Sequence, residues 1–183
     1  MTIYAILGVA VLVALWAVVA FNGLVRGRAM VAEGWSGIDA QLKRRTDLIP
    51  NLLESVKGYA THERTAFEEL TKMRSHAGGP DPAQRAATET AITAAIGKIM
   101  AVAEAYPDLK ASANFLSLQT DLADLEDQIQ LARRYYNGAV RNFNISVQQF
   151  PSNLIARMGG FTTAELFQLD NPAERSVPKV AFN

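Results

Sequence analysis

The residues of this chain whose types could do chemistry concentrate in "KRRTDLIPNLLESVKGYATHE", Lys43 to Glu63. Arg44, Arg45, Asp47, Asn51 and Glu63 bring two guanidinium groups, two carboxylates and an amide within roughly six helical turns. His62 beside Glu63 invites a metal reading. A zinc-hydrolase helix, however, needs a second histidine four residues on, and Ala66 stands there. Di-iron bundles use Glu-x-x-His pairs, and neither His62 nor His76 has a glutamate three residues before it. The chain has no cysteine, so thiolate metal sites, cysteine nucleophiles and disulfides are excluded. No nucleophile elbow or strand framework supports serine or threonine hydrolysis, and the glycine pairs at 78–79 and 159–160 read as turns. The expectation is no catalytic residue, no metal and no cofactor.

Placement of the charges is more informative than their identity. Helical phase sends Arg45 and Glu63 inward, and a buried charge is costly unless it is paired and hydrogen-bonded. The expected arrangement is a network of Arg44 or Arg45 with Asp47, Asn51 and Glu63 near one bundle end, joined by Tyr135, Tyr136 and Asn137. It reads as a structural network that fixes helix register, or as a ligand or partner site. In a second element, "QQFPSNLIARMGGF", Pro151 stops the long helix, Ser152 or Asn153 can cap a short new one, and Leu154, Ile155, Met158 and Phe161 are apolar with Arg157 beside them. It reads as a lid on the bundle, or as a contact for a neighbouring subunit or the membrane interface.

The elements that must position these residues begin with Ile3 to Phe21, a run without charge whose first following charge is Arg26. At about 1.5 Å per residue it covers most of a hydrocarbon core about 30 Å thick. A cleaved signal peptide would show a basic start, a shorter core and a small-x-small site, none of which this segment has, so it reads as a retained anchor. Arg26, Arg28 and Lys43 to Arg45 all follow the span, which predicts the remaining domain on the cytoplasmic side, the periplasmic side being the alternative.

Beyond the span the pattern is helical and no alternating strand stands out. Val31, Trp35, Ile38 and Leu42 form one stripe, and Leu53, Val56, Ala60, Phe67 and Leu70 form the next. A break at Ser75 to Pro82 leads to a third stripe of Ile92, Ile96, Ile99 and Ala103, with Asp81 and Pro82 as cap and first residue. The longest stripe runs from Phe115 through Leu118, Leu122, Leu125, Ile129, Ala132, Tyr136, Ala139 and Phe143 to Phe150. Two readings remain at Pro50. Asp47 caps a new helix after a turn, giving an antiparallel four-helix bundle, or Pro50 kinks one long helix, giving three. The predicted organisation is an anchor at 1–23, a helical bundle at 24–150, and a short helix with a tail at 151–183, in which Phe161, Leu166, Phe167, Val180 and Phe182 pack on the bundle.

"LKRRTDLIPNLLESVKGYATHE", "ARRYYNGAVRNFNISVQQFPSNLIARMGGF", the anchor and the closing "VPKVAF" together resemble the LemA family over nearly the whole chain. Where the family commonly ends its motif "LFGF", this chain has Met158, Gly159, Gly160 and Phe161. The resemblance implies a single-pass bacterial membrane protein with an antiparallel helical bundle and no established enzymatic activity, and it adds weight to the turn at Pro50. Hydrophobic residues make up 49 % and charged residues 20 %, at zero formal net charge. That balance excludes a disordered class and argues against nucleic acid as a partner. The expected function is a non-catalytic scaffold at the bacterial inner membrane that forms homo-oligomers or docks another membrane protein. The alternative is a ligand sensor or enzyme using residues 44–63.

Overall fold

A single helix, α1 (Thr2–Lys57), carries both the apolar run and the Arg45 region, with Pro50 inside it. The computed structural model describes residues 1–58, 68, 70–72 and 81–168. Its further helices are α2 (Pro82–Glu104), α3 (Pro107–Lys110), α4 (Ala113–Gln148) and α5 (Ser152–Met158). Residues 68 and 70–72 are helical as well, and no strand occurs among the described residues. The fold is all-α with a long apolar N-terminal helix, as the periodicity implies.

The turn expected at Pro50 is absent, and Asp47 is an exposed residue within α1 rather than a cap. Packing accounts for the difference. Ile38, Leu42, Arg45, Ile49, Leu52 and Val56 are all buried, at steps of four and three residues, so one stripe continues past the proline without loss of phase. A proline inside a helix costs about 3 kcal/mol. Burying Ile49, Leu52 and Val56 contributes about 1.5–3 kcal/mol each, which is enough to hold the helix intact. The core residue after the proline is Leu52, and Leu53 packs beside it partly buried.

Contacts divide the chain into two units, residues 1–40 with 129–166 and residues 41–128 with 167–183. In the second unit one core gathers Ile49, Leu52 and Val56 of α1, Leu70, then Ile92, Ala95, Ile99 and Ala103 of α2, Leu109 of α3, and Phe115, Leu118 and Leu122 of α4, Leu70 lying outside the numbered helices. Ala95 takes the inward place expected of Ile96, which lies partly buried at the edge of this core. Pro82 is the first residue of α2, and the amide of Arg85 bonds the Asp81 carbonyl at 3.0 Å. By length and composition α2 also passes for a membrane span, but its Ile92, Ala95, Ile99 and Ala103 are buried in this core.

In the first unit α1 and α4 run antiparallel, since Gly27 meets Phe143 while Gly34 meets Tyr136. A Cβ on Gly34 would stand 3.0 Å from the Tyr136 Cα, so glycine is what lets the two backbones come this close. Leu24, Phe143, Ala156 and Phe161 form the core of this unit. No part of the most apolar stretch of α1 is buried. α4 ends at Gln148, before the last residue of its expected stripe, and Phe150 is 74 % exposed rather than packed. Of the expected tail contacts, Phe161 and Phe167 are buried and Leu166 is exposed. Ala60, Phe67, Val180 and Phe182 lie outside the described residues.

Candidate functional site

Arg45 occupies an inward position of the α1 stripe, between Leu42 and Ile49, and only 2 % of it is exposed. Its partners come from the other two long helices of the second unit. Nη2 lies 2.5 Å from Glu89 Oε2 and donates to the Glu89 carbonyl at 3.3 Å. Nη1 donates to Thr93 Oγ1 at 2.8 Å and to Glu126 Oε2 at 3.1 Å. Arg85, also buried, brings its Nε 3.0 Å from Glu89 Oε1 along α2. Glu89, fully buried, therefore pairs with two guanidinium groups, and Glu126, from a side chain 38 % exposed, supplies the second negative charge that balances them. Arg45 Nε has no hydrogen-bond partner among the described residues. Such a cluster resists separation, because removing one member strands the others in a low-dielectric core.

Sequence reasoning reached Arg45 but not Arg85, Glu89 or Glu126. A signal for the α2 pair was present. Continuing the stripe of Ile92, Ile96 and Ile99 backwards by three and then four residues lands on Glu89 and Arg85. Among the residues singled out with Arg45, Arg44 is exposed and bonds Gln41 at 3.2 Å and Gln128 at 3.1 Å. Asp47 and Asn51 are exposed. Asn51 lines an open groove of about 530 Å³ with Glu54, Ser55, Asn114, Ser117 and Asp121. Glu63, His62 and His76 lie outside the described residues. Among the described residues no group of three or more acidic or histidine side chains could hold a metal ion.

Tyr135, Tyr136 and Asn137 belong to the first unit. Tyr136 is buried, stands 5.6 Å from the Trp35 ring, and donates its hydroxyl to the Glu165 carbonyl at 2.8 Å. Burial raises its pKa above the ordinary 10.0, and the Glu165 charge adds to the rise. Tyr135 is 47 % exposed and Asn137 half-buried. Asn144 holds the chain after α5 with two bonds to Ala164, donating to its carbonyl at 2.9 Å and accepting from its amide at 2.8 Å. The second expected element is a cis Phe150–Pro151 bond followed by α5. Ala156 is buried and Ile155 half-buried on its inner side, while Pro151, Leu154 and Arg157 are exposed. Phe161 lies 5.6 Å from the Phe21 ring and 5.0 Å from the Arg28 guanidinium.

Residues 34–182 match the LemA family model. The chain is 29 % identical over 149 residues to Protein LemA of Metamycoplasma hominis, covering 80 % of this chain and 68 % of that protein. It is 27 % identical over 165 residues to Magnetosome protein MamQ 2 of Paramagnetospirillum magneticum, covering 75 % of this chain and 60 % of that relative. A MamQ of Magnetospirillum gryphiswaldense is 24 % identical over the same shares.

Proposed function

The chain belongs to the LemA family, and from that premise we propose that it is a non-catalytic helical scaffold, held to the bacterial inner membrane by α1. Its role is to assemble with copies of itself or to dock another membrane protein. The observation that carries this reading is the continuity of α1. The same helix that presents an unburied apolar stretch long enough to cross a bilayer goes on to supply Ile49, Leu52 and Val56 to a packed core. A helix that carries both an apolar span and core-forming residues suits a protein whose helical domain works tethered to a bilayer. The charged cluster around Arg45 supports a structural role, since Arg45, Arg85 and Glu89 pair with one another inside the core. In this reading the helical domain lies on the cytoplasmic side, because Arg26 and Arg28 closely follow the span.

Carbonate extraction of membranes, followed by mass measurement in detergent of the full chain beside a chain beginning at Leu24, tests the proposal. The expected result is a carbonate-resistant full chain that forms a defined oligomer or a stable complex with another membrane protein, lost without residues 1–23. A full chain released by carbonate, or a lone monomer in both preparations, overturns it. A reporter at the C-terminus that is active only in the periplasm overturns the side assigned here.

A further inference from the structure

α5 is apolar on the side where a helix in water would be polar. Its inner side packs Ile155 and Ala156 into the core of the first unit. Its outer side carries Leu154, 53 % exposed, and Met158, 86 % exposed, which stand about one turn apart. Phe150, just before it, is 74 % exposed. Three large apolar side chains so exposed within residues 150–158 are unusual for a monomer in water.

Their place in the unit identifies what covers them. Phe21 ends the apolar run Ile3 to Phe21, before Asn22 and Gly23, and its 19 residues at about 1.5 Å each nearly span a hydrocarbon core of about 30 Å, so Phe21 lies at its edge. The C-terminal end of α5 stands at that level. Phe161 packs edge-on against Phe21, and a Cβ on Gly159 would be 3.2 Å from the Phe21 ring. Met158, next to Gly159, thus ends α5 beside the last residue of the anchor's apolar run. The charges around it agree. Arg26, Arg28, Arg141 and Arg157 are all exposed, and neither residues 1–32 nor residues 138–164 contain an acid, although the whole chain is neutral. Apolar side chains bordered by arginines match the boundary between acyl chains and anionic headgroups.

We propose that Phe150, Leu154 and Met158 seat the α4–α5 corner in the headgroup–acyl boundary of the same bilayer that α1 crosses. The inference rests on the anchor reading of α1. It adds a second membrane contact, one that lies in the interface rather than spanning it.

The absence of cysteine makes single-cysteine labelling clean. Full-length Leu154→Cys and Met158→Cys carry a spin label in vesicles of phosphatidylcholine and phosphatidylglycerol. Accessibility to oxygen and to a water-soluble nickel chelate then reports depth. Leu12→Cys sets the lipid value and Lys110→Cys, at an exposed position, sets the water value. The expected oxygen-to-nickel ratios at 154 and 158 stand well above that of Lys110→Cys and below that of Leu12→Cys, as for a depth of about 5–10 Å. Ratios like that of Lys110→Cys overturn the inference while leaving the anchor intact. Low accessibility to both reagents, with spin–spin broadening that unlabelled chain dilutes away, overturns it in favour of a second copy on the patch. If Leu12→Cys itself reads as water, the anchor reading has failed and the inference falls with it.

Discussion

Replacing Glu89 with leucine removes the carboxylate that Arg45 and Arg85 share. Arg45 is 2 % exposed and Arg85 5 %, so neither guanidinium can turn to water without opening the core. Breaking a buried pair by deleting one member costs about 3–5 kcal/mol. For a chain of 183 residues each kcal/mol lowers the melting temperature by about 2–4 °C. Glu89→Leu should therefore lower Tm by about 6–20 °C, read by circular dichroism of the full chain in detergent. Glutamine at 126 keeps a side-chain oxygen that can accept from Arg45 Nη1, and Glu89 still faces Arg45, so exchanging a charged acceptor for a neutral one costs about 1 kcal/mol. Glu126→Gln should then shift Tm by about 4 °C or less. The triple variant Arg45→Met, Arg85→Met, Glu89→Leu should recover most of the loss, because no stranded charge remains. A Glu89→Leu protein melting within about 2 °C of the parent would refute the reasoning. So would a triple variant that melts no higher than the single one.

Gly34→Ala puts a Cβ 3.0 Å from the Tyr136 Cα and should destabilise, since overpacking costs about 1–3 kcal/mol. Gly37→Ala meets nothing within 4 Å and should stabilise by about 0.5–1 kcal/mol, so urea melts of the two should shift in opposite directions. Tyr136 has a folded pKa raised above 10.0. Its neutral form is the one the fold favours, so its contribution is full below pH 10 and is lost as pH rises from there through the folded value. Parent and Tyr136→Phe stabilities, measured from pH 8 to 11.5, should converge as pH rises, and parallel curves would refute this. Pro50→Ala restores an amide donor for the Thr46 carbonyl within α1 and should stabilise by up to about 3 kcal/mol. A lower Tm would favour a turn there.

The helical class and most of the core were legible in the sequence, because burial follows the apolar period wherever helices pack along their length. Ile92, Ile99, Ala103, Phe115, Leu118, Leu122, Leu125, Ile129, Tyr136 and Phe143 lie where that period puts them. The continuation of α1 through Pro50 was less legible, because local preference and packing disagree at that residue. Proline and Asp47 together favour a turn, and only the summed burial on both sides decides for the helix. Phe150 departs from its stripe because α4 ends two residues earlier. The partners of Arg45 were hidden for another reason: pairing between helices is set by register, which no single helix encodes.

That register explains why charges sit in this core at all. The apolar stripe of α2 repeats every three or four residues, so sliding α2 by two turns against α1 would replace apolar contacts with others of similar kind. Hydrophobic burial alone separates such alternatives weakly, since it is non-directional and follows area. The charges separate them strongly. Moving α2 by seven residues would set Ile96 where Glu89 stands, and Arg45 would face a buried aliphatic side chain instead of a carboxylate 2.5 Å away. An unpaired buried guanidinium carries a penalty of several kcal/mol, comparable to the whole advantage of one well-buried leucine over an exposed one. The polar cluster therefore need not be the strongest contributor to stability to determine the structure. It makes the shifted packings costly, and it does so at a point that α1, α2 and α4 all reach.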